Sequence, residues 1–208
     1  MADRAEFRRS ALEGQLVPGE LNIAPGAEPG VTVTERRALA IVQVDAWPEI
    51  AEETAEAVAK AVGVHPSLEP LTAVQAGETA ALWLGPERWQ IVEPESARRI
   101  LPLFDALNET LEGQAVLTDQ GHGRVCLRLS GPAHRTVLAK GCTLDFDPDG
   151  ELDPGRVANT RLGHMAATLH RLDEETVDLY VARSYAVSFA EWLVHAAAEY
   201  GCRVAEPA

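Results

Sequence analysis

The sequence has no hydrophobic run approaching the roughly 18 residues that a membrane span needs. Its opening stretch, Met1 to Leu16, mixes charge with alanine and has no apolar core of a secretion signal. The chain is therefore expected to be soluble, unexported and cytoplasmic. Cysteine is scarce. Cys126, Cys142 and Cys202 are odd in number and form no C-x-x-C pair, which argues against a disulfide framework or a zinc site. Ordinary thiols in a reducing compartment fit better. Positive charge is also short: Lys and Arg total 18 against 32 Asp and Glu, a formal charge of −14. Basic residues adjoin only as Arg8-Arg9, Arg36-Arg37 and Arg98-Arg99. Without a basic face to displace counterions from phosphates, nucleic-acid binding is not expected. The acidic balance suits solubility or a basic partner.

Cofactor and catalytic motifs are missing as well. Gly121-His122-Gly123 is too short for a dinucleotide fingerprint and precedes a strand, where that fingerprint would follow one. There is no G-x-x-x-x-G-K-[ST] loop and no G-x-S-x-G elbow. Glu52-Glu53 and Glu174-Glu175 are adjacent, so each pair points to different faces and forms no acid/base couple. Of six histidines, His164 and His170 share strand parity, yet no third ligand stands at metal spacing. Ser130 and Ser184 read as helix N-caps. No catalytic, cofactor-binding or metal-binding residue is assigned to this chain.

What is present is a globular composition, 46% hydrophobic and 24% charged. A chain of 208 residues can bury roughly 70% of its unfolded surface without a staple. Residues 1–30 form an extended arm punctuated by Pro18, Gly19, Pro25, Gly26, Pro29 and Gly30, mobile or laid along a partner. A first half, 31–113, starts with a strand from Val31 to Val44. Pro48 opens a helix that Gly63 stops. A hairpin turns at Gly85-Pro86-Glu87, and Ser96 caps a helix carrying Ile100, Phe104, Leu107 and Leu111. A second half, 114–204, repeats the order: a strand region Val116–Leu129, a helix ending at Gly141, a hairpin around Asp173-Glu174-Glu175, and a helix after Ser184. The fold class is α+β: two similar strand-helix-hairpin-helix halves with antiparallel sheets and helices on one face. The longest internal loop is Gly141–Asn159, expected to be functional or held by a partner.

Four arginines stand in strand contexts of an acidic chain: Arg124, Arg128, Arg161 and Arg183. Arg124 and Arg128 share a strand face. Each needs a carboxylate, either within the chain or across a subunit interface, where arginine is enriched.

From Asp119-Gln120-Gly121-His122-Gly123-Arg124 through Leu129-Ser130-Gly131-Pro132, the chain resembles the gamma subunit of heterotetrameric sarcosine oxidase. The likeness continues at Val137–Asp145, at Asn159-Thr160-Arg161-Leu162 and at Asp178–Ala186 with Trp192-Leu193, and more loosely at Leu84–Trp89. It covers about 90 residues closely, and the motifs are specific through their joint order. The resemblance implies an accessory subunit with a structural or assembly role. The complex would demethylate sarcosine to glycine, releasing formaldehyde or passing the one-carbon unit to tetrahydrofolate. It implies alpha, beta and delta partner subunits, with the closest contact to the large alpha subunit. FAD, FMN, NAD, tetrahydrofolate and zinc would reside on those subunits, with none on this chain. It also implies a fold like the folate-binding part of the glycine-cleavage T protein. Asp119, His122 and Ser130-Gly131-Pro132 match that superfamily's Asp-x-Ser-His and Ser-Gly-Pro positions. Gly121 replaces the serine, and no Gly-Gly-x-x-Asp-Asp-like segment follows, which opposes independent transferase activity. Within the gamma family, Thr143 stands where proline is expected, and Phe146-Asp147-Pro148 where a His-Pro pair is expected. The alternatives are a gamma subunit of N-methylglutamate dehydrogenase and a stand-alone folate-dependent aminomethyltransferase-like protein.

Overall fold

Alternating apolar side chains run from Val31 to Val44, yet they build two strands and not one. The structure, a computed structural model, describes residues 9–97, 101–146 and 152–208. After a short strand β1 (Gly19–Leu21), β2 (Val31–Arg36) ends at a break where Ala38 takes φ 52°, and β3 (Leu39–Ala46) continues. Left-handed backbone costs an L-residue about 1–2 kcal/mol, so the break is enforced by the surrounding structure. It sends β2 and β3 into different sheets.

The rest of the first half follows the expected order. Helix α1 (Ala51–Val62) is preceded by Pro48 and closed by Gly63 at φ 80°, whose N–H donates to the Ala59 carbonyl at 2.8 Å. Strands β4 (Ala73–Ala76), β5 (Thr79–Gly85) and β6 (Arg88–Pro94) form a meander, and α2 (Leu103–Thr110) follows. Ser96 does not cap α2. It sits in a 3-10 turn, Glu95–Ala97, and the helix begins after Pro102 because the residue before a proline is driven out of helical geometry. Ile100 lies outside the described residues.

The second half repeats the break. The expected strand region Val116–Leu129 divides into β7 (Ala115–Asp119) and β8 (Arg124–Ser130), separated by a turn at Gln120–Gly123. Then come α3 (His134–Ala139), β9 (Val157–Leu162), β10 (Met165–Arg171), β11 (Thr176–Ala182), α4 (Ala186–Ala197) and β12 (Cys202–Val204). Ser130 is no N-cap: pairing with Thr32 on one side and Thr176 on the other holds it extended, and α3 starts later. Ser184 likewise falls inside a 3-10 turn, Arg183–Tyr185, and makes no cap hydrogen bond.

The duplication is visible in the pairing. One sheet has the order β4-β5-β6-β3-β7, the other β1-β12-β2-β8-β11-β10-β9. Strand β2 leaves the first half to pair with β8, and β7 leaves the second half to pair with β3, both antiparallel. The halves thus trade their first strands. β12 adds beside β2 in parallel. The sheets face each other through Leu39, Ile41, Leu82, Val92, Cys126 and Tyr180. The outer face of the five-stranded sheet is covered by α1 and α2, with Trp89, Ile91 and Leu107 in that core. The outer face of the seven-stranded sheet is covered by α3 and α4, around Leu127, Leu138, Phe189 and Leu193. Each such side chain contributes roughly 1.5–3 kcal/mol on burial.

Residues 9–30 lie against the chain itself. Leu12 is fully buried, β1 pairs with β12, and a Cβ at Gly30 would come within 2.3 Å of the Tyr200 carbonyl oxygen. Residues 1–8 are outside the described residues. Of the expected 141–159 loop, residues 147–151 are outside them too. On either side Phe146 and Leu152 are buried in the larger core.

Candidate functional site

The two strand-exchange breaks lie side by side, because the Gln120 N–H donates to the Ile41 carbonyl at 2.8 Å and Arg36 pairs with Cys126 across β2 and β8. A cleft of about 240 Å3 opens there. Arg9, Arg36, Arg37, Arg124 and Arg183 line it, together with Glu35 and Glu95. Its apolar floor includes Leu39, Ile41 and Val125. The turn that delivers Arg124 is tied locally: Asp119 Oδ1 accepts from the Gly121 N–H at 2.8 Å, and the Gly123 carbonyl accepts from the Arg183 N–H at 2.9 Å.

The arginines are not equivalent. Arg37 Nε donates to buried Glu35 at 2.8 Å, and Ser10 Oγ donates to the other oxygen of that carboxylate. The Arg37 backbone N–H donates to an Ala208 oxygen at 2.6 Å. Arg36 reaches Asp178 at 3.4 Å, drawn to the inner side of the wall. Arg183 Nη2 donates to the Arg9 carbonyl at 2.7 Å, which fixes its side chain without neutralising it. Arg124 is half-buried, and no side-chain hydrogen bond or ion pair with it occurs among the described residues. Burial alone shifts it, pulling its pKa below the usual arginine value. A guanidinium in that position presents unused donors in a planar fork suited to a carboxylate or phosphate.

Of the four arginines singled out in the sequence, the structure brings Arg124 and Arg183 together. Arg128 shares the strand face of Arg124 but is committed within the chain. Its Nε and Nη2 bond the two oxygens of buried Asp178 at 2.7 and 2.9 Å, and this bond holds its pKa up. Arg161 is exposed on β9, the far edge strand, away from the cleft. Arg9, Arg36 and Arg37 complete the lining, and the doublets Arg8-Arg9 and Arg36-Arg37 are the sequence signals that point to them. The parity argument for His164 and His170 fails, because His164 sits at φ 70° in the turn between β9 and β10. His170 is buried on β10, where burial is the main cause lowering its pKa to about 4. Among the described residues, no three His, Cys, Asp or Glu side chains converge as metal ligands. No helix among them is long and apolar enough to cross a membrane.

Three comparisons bear on the arrangement. Residues 48–199 match the model of the sarcosine oxidase gamma subunit family. A sarcosine oxidase subunit gamma from Corynebacterium sp. (strain U-96) is 28% identical over 207 residues, covering 96% of this chain and 95% of that one. Among solved structures, the heterotetrameric sarcosine oxidase from Corynebacterium sp. U-96 superposes with a TM-score of 0.77 at 26% identity, over 93% of this chain and 96% of the matched chain. The glycine cleavage system aminomethyltransferase T from Bartonella henselae shares the fold, with a TM-score of 0.61 at 15% identity, over 86% of this chain and 48% of that one.

Proposed function

Because the chain belongs to the sarcosine oxidase gamma subunit family, we propose that it is the accessory gamma subunit of a heterotetrameric sarcosine oxidase. The observation that carries this reading is the structural likeness over 93% of the chain to a chain of such an oxidase, joined to a family match over residues 48–199. In this reading the complex oxidatively demethylates sarcosine to glycine and releases formaldehyde or passes the one-carbon unit to tetrahydrofolate. Alpha, beta and delta subunits are the partners, with alpha as the main contact. FAD, FMN, NAD, tetrahydrofolate and zinc reside on them, in the cytoplasm, and this chain supplies structure and assembly without its own chemistry.

The division into an arm (1–30) and halves 31–113 and 114–204 belongs to the same proposal, with each half lending one strand to the other's sheet. Arg124, Arg183 and Arg161 are its partner-facing arginines. Arg128 contributes through Asp178, behind that surface.

Co-expression with the three partner subunits tests the reading. A stoichiometric yellow complex containing this chain is expected, while the chain expressed alone is colourless. Recovery of a complete complex that excludes this chain would refute it.

A further inference from the structure

The arginine cleft differs in sign from the rest of the molecule. The chain carries a formal charge of −14, yet among the described residues five arginines and two glutamates face this opening. Glu35 is already held by Arg37 and Ser10, and Arg36 leans toward Asp178. Arg124 and Arg183 retain guanidinium donors without a carboxylate partner among the described residues. Their strand contexts differ, since Arg124 begins β8 and Arg183 follows β11, so the fold itself brings them to one place. The wall includes the left-handed backbone at Ala38, and its floor is apolar. Charge pairs formed against such a floor are stronger than on open surface, because the surroundings are less polarisable than water.

We infer that this cleft is the docking site for a carboxylate-bearing segment of a partner subunit, with an Asp or Glu side chain bound in the forks of Arg124 and Arg183. The inference rests on the subunit reading above and specifies which surface of the chain is used and by what chemistry. About 240 Å3 suits one or two side chains better than a drug-sized ligand, whose pockets run roughly 300–1,000 Å3. The chain as a whole is acidic and repels such a segment, so a positive opening supplies register as well as attraction.

The test uses the co-expressed complex. R124A/R183A is expected to weaken retention of this chain at least ten-fold in a dilution or salt series. R88A/R203A, which breaks exposed ion pairs with Asp45 and Glu20, is expected to leave retention unchanged. R124K serves as an independent probe that does not depend on the double variant folding. Zero-length carbodiimide coupling of the introduced amine should yield a cross-linked peptide containing an Asp or Glu of a partner subunit. Wild-type retention in R124A/R183A overturns the docking site while leaving the subunit reading intact. Coupling of R124K only to carboxylates of its own chain also overturns it. Failure of the wild type to assemble overturns both.

Discussion

Arg128 and Asp178 face each other across β8 and β11 and are joined by two hydrogen bonds of 2.7 and 2.9 Å. Asp178 is buried between the sheets, where its ion-pair partners are this fork and Arg36 at 3.4 Å. Removing one partner of a buried pair leaves an uncompensated charge, at roughly 3–5 kcal/mol where the pair is fully buried. Arg128 keeps partial exposure and Arg36 remains. Arg128→Ala is therefore expected to destabilise the chain by about 2–3 kcal/mol, read from urea unfolding. Arg128→Lys keeps the charge but loses the fork, and should fall between the two. An unchanged midpoint in Arg128→Ala would mean that the fork contributes nothing.

His170 pairs with Asp178 from the other side, on β10. Burial, with help from Arg128 and against the pull of Asp178, lowers its pKa from 6.5 to about 4. Above pH ~6.5 the ring is neutral in both folded and unfolded chains, and its titration affects nothing. Between about 6.5 and 4 only the unfolded chain takes the proton, so stability falls as the pH falls. The full loss is of order 3 kcal/mol. His170→Gln should flatten that part of the pH–stability curve, measured by unfolding at pH 7 and pH 4.5. An equal slope in the variant would remove His170 as the cause.

Gly163 and Gly141 both pack under Trp192. A Cβ at Gly163 would stand 2.5 Å from Trp192 Cδ2, and one at Gly141 2.2 Å from Cζ2. Gly163 also has φ +55°, where a side chain is strained. Gly163→Ala is expected to cost about 3 kcal/mol, combining overpacking with left-handed backbone. In the W192L background the same change should cost less, since the steric part disappears. Additive effects in the double variant would contradict the contact.

The three thiols differ in access. Cys126 and Cys202 are buried, and burial raises both pKa values, Cys202 to about 11 and Cys126 well above the ordinary thiol. Cys142 is partly exposed. Because the thiolate is the reactive form, a thiol reagent at pH 8 should modify Cys142 first in the native protein and all three after denaturation. Peptide mapping that found Cys126 labelled early would show the sheet interface opening.

The class of elements and their order follow from local patterns in the chain. Alternation at Val31–Val44 and Val116–Leu129, the 3.6-residue stripe of α4, and Gly63 after α1 are local signals. They arise from burial of one face and from backbone freedom, which single residues encode. The arginines of β8 were legible for the same reason, as charges on a strand.

Which strands pair, and which charges meet, depends on long-range contacts. Alternation reports that one face of a strand is buried but not which sheet it joins, so β2 and β3 read as one strand until Ala38 parted them. The exchange of β2 and β7 between sheets then placed the doublet Arg36-Arg37 beside Arg124 and Arg183. The β8–β11 register commits Arg128, only four residues from Arg124 and on the same strand face, to Asp178. Those fates depend on contacts across the chain, between residues 142 positions apart in the Arg36–Asp178 pair and 174 apart in the Arg183–Arg9 bond, and no local pattern carries them.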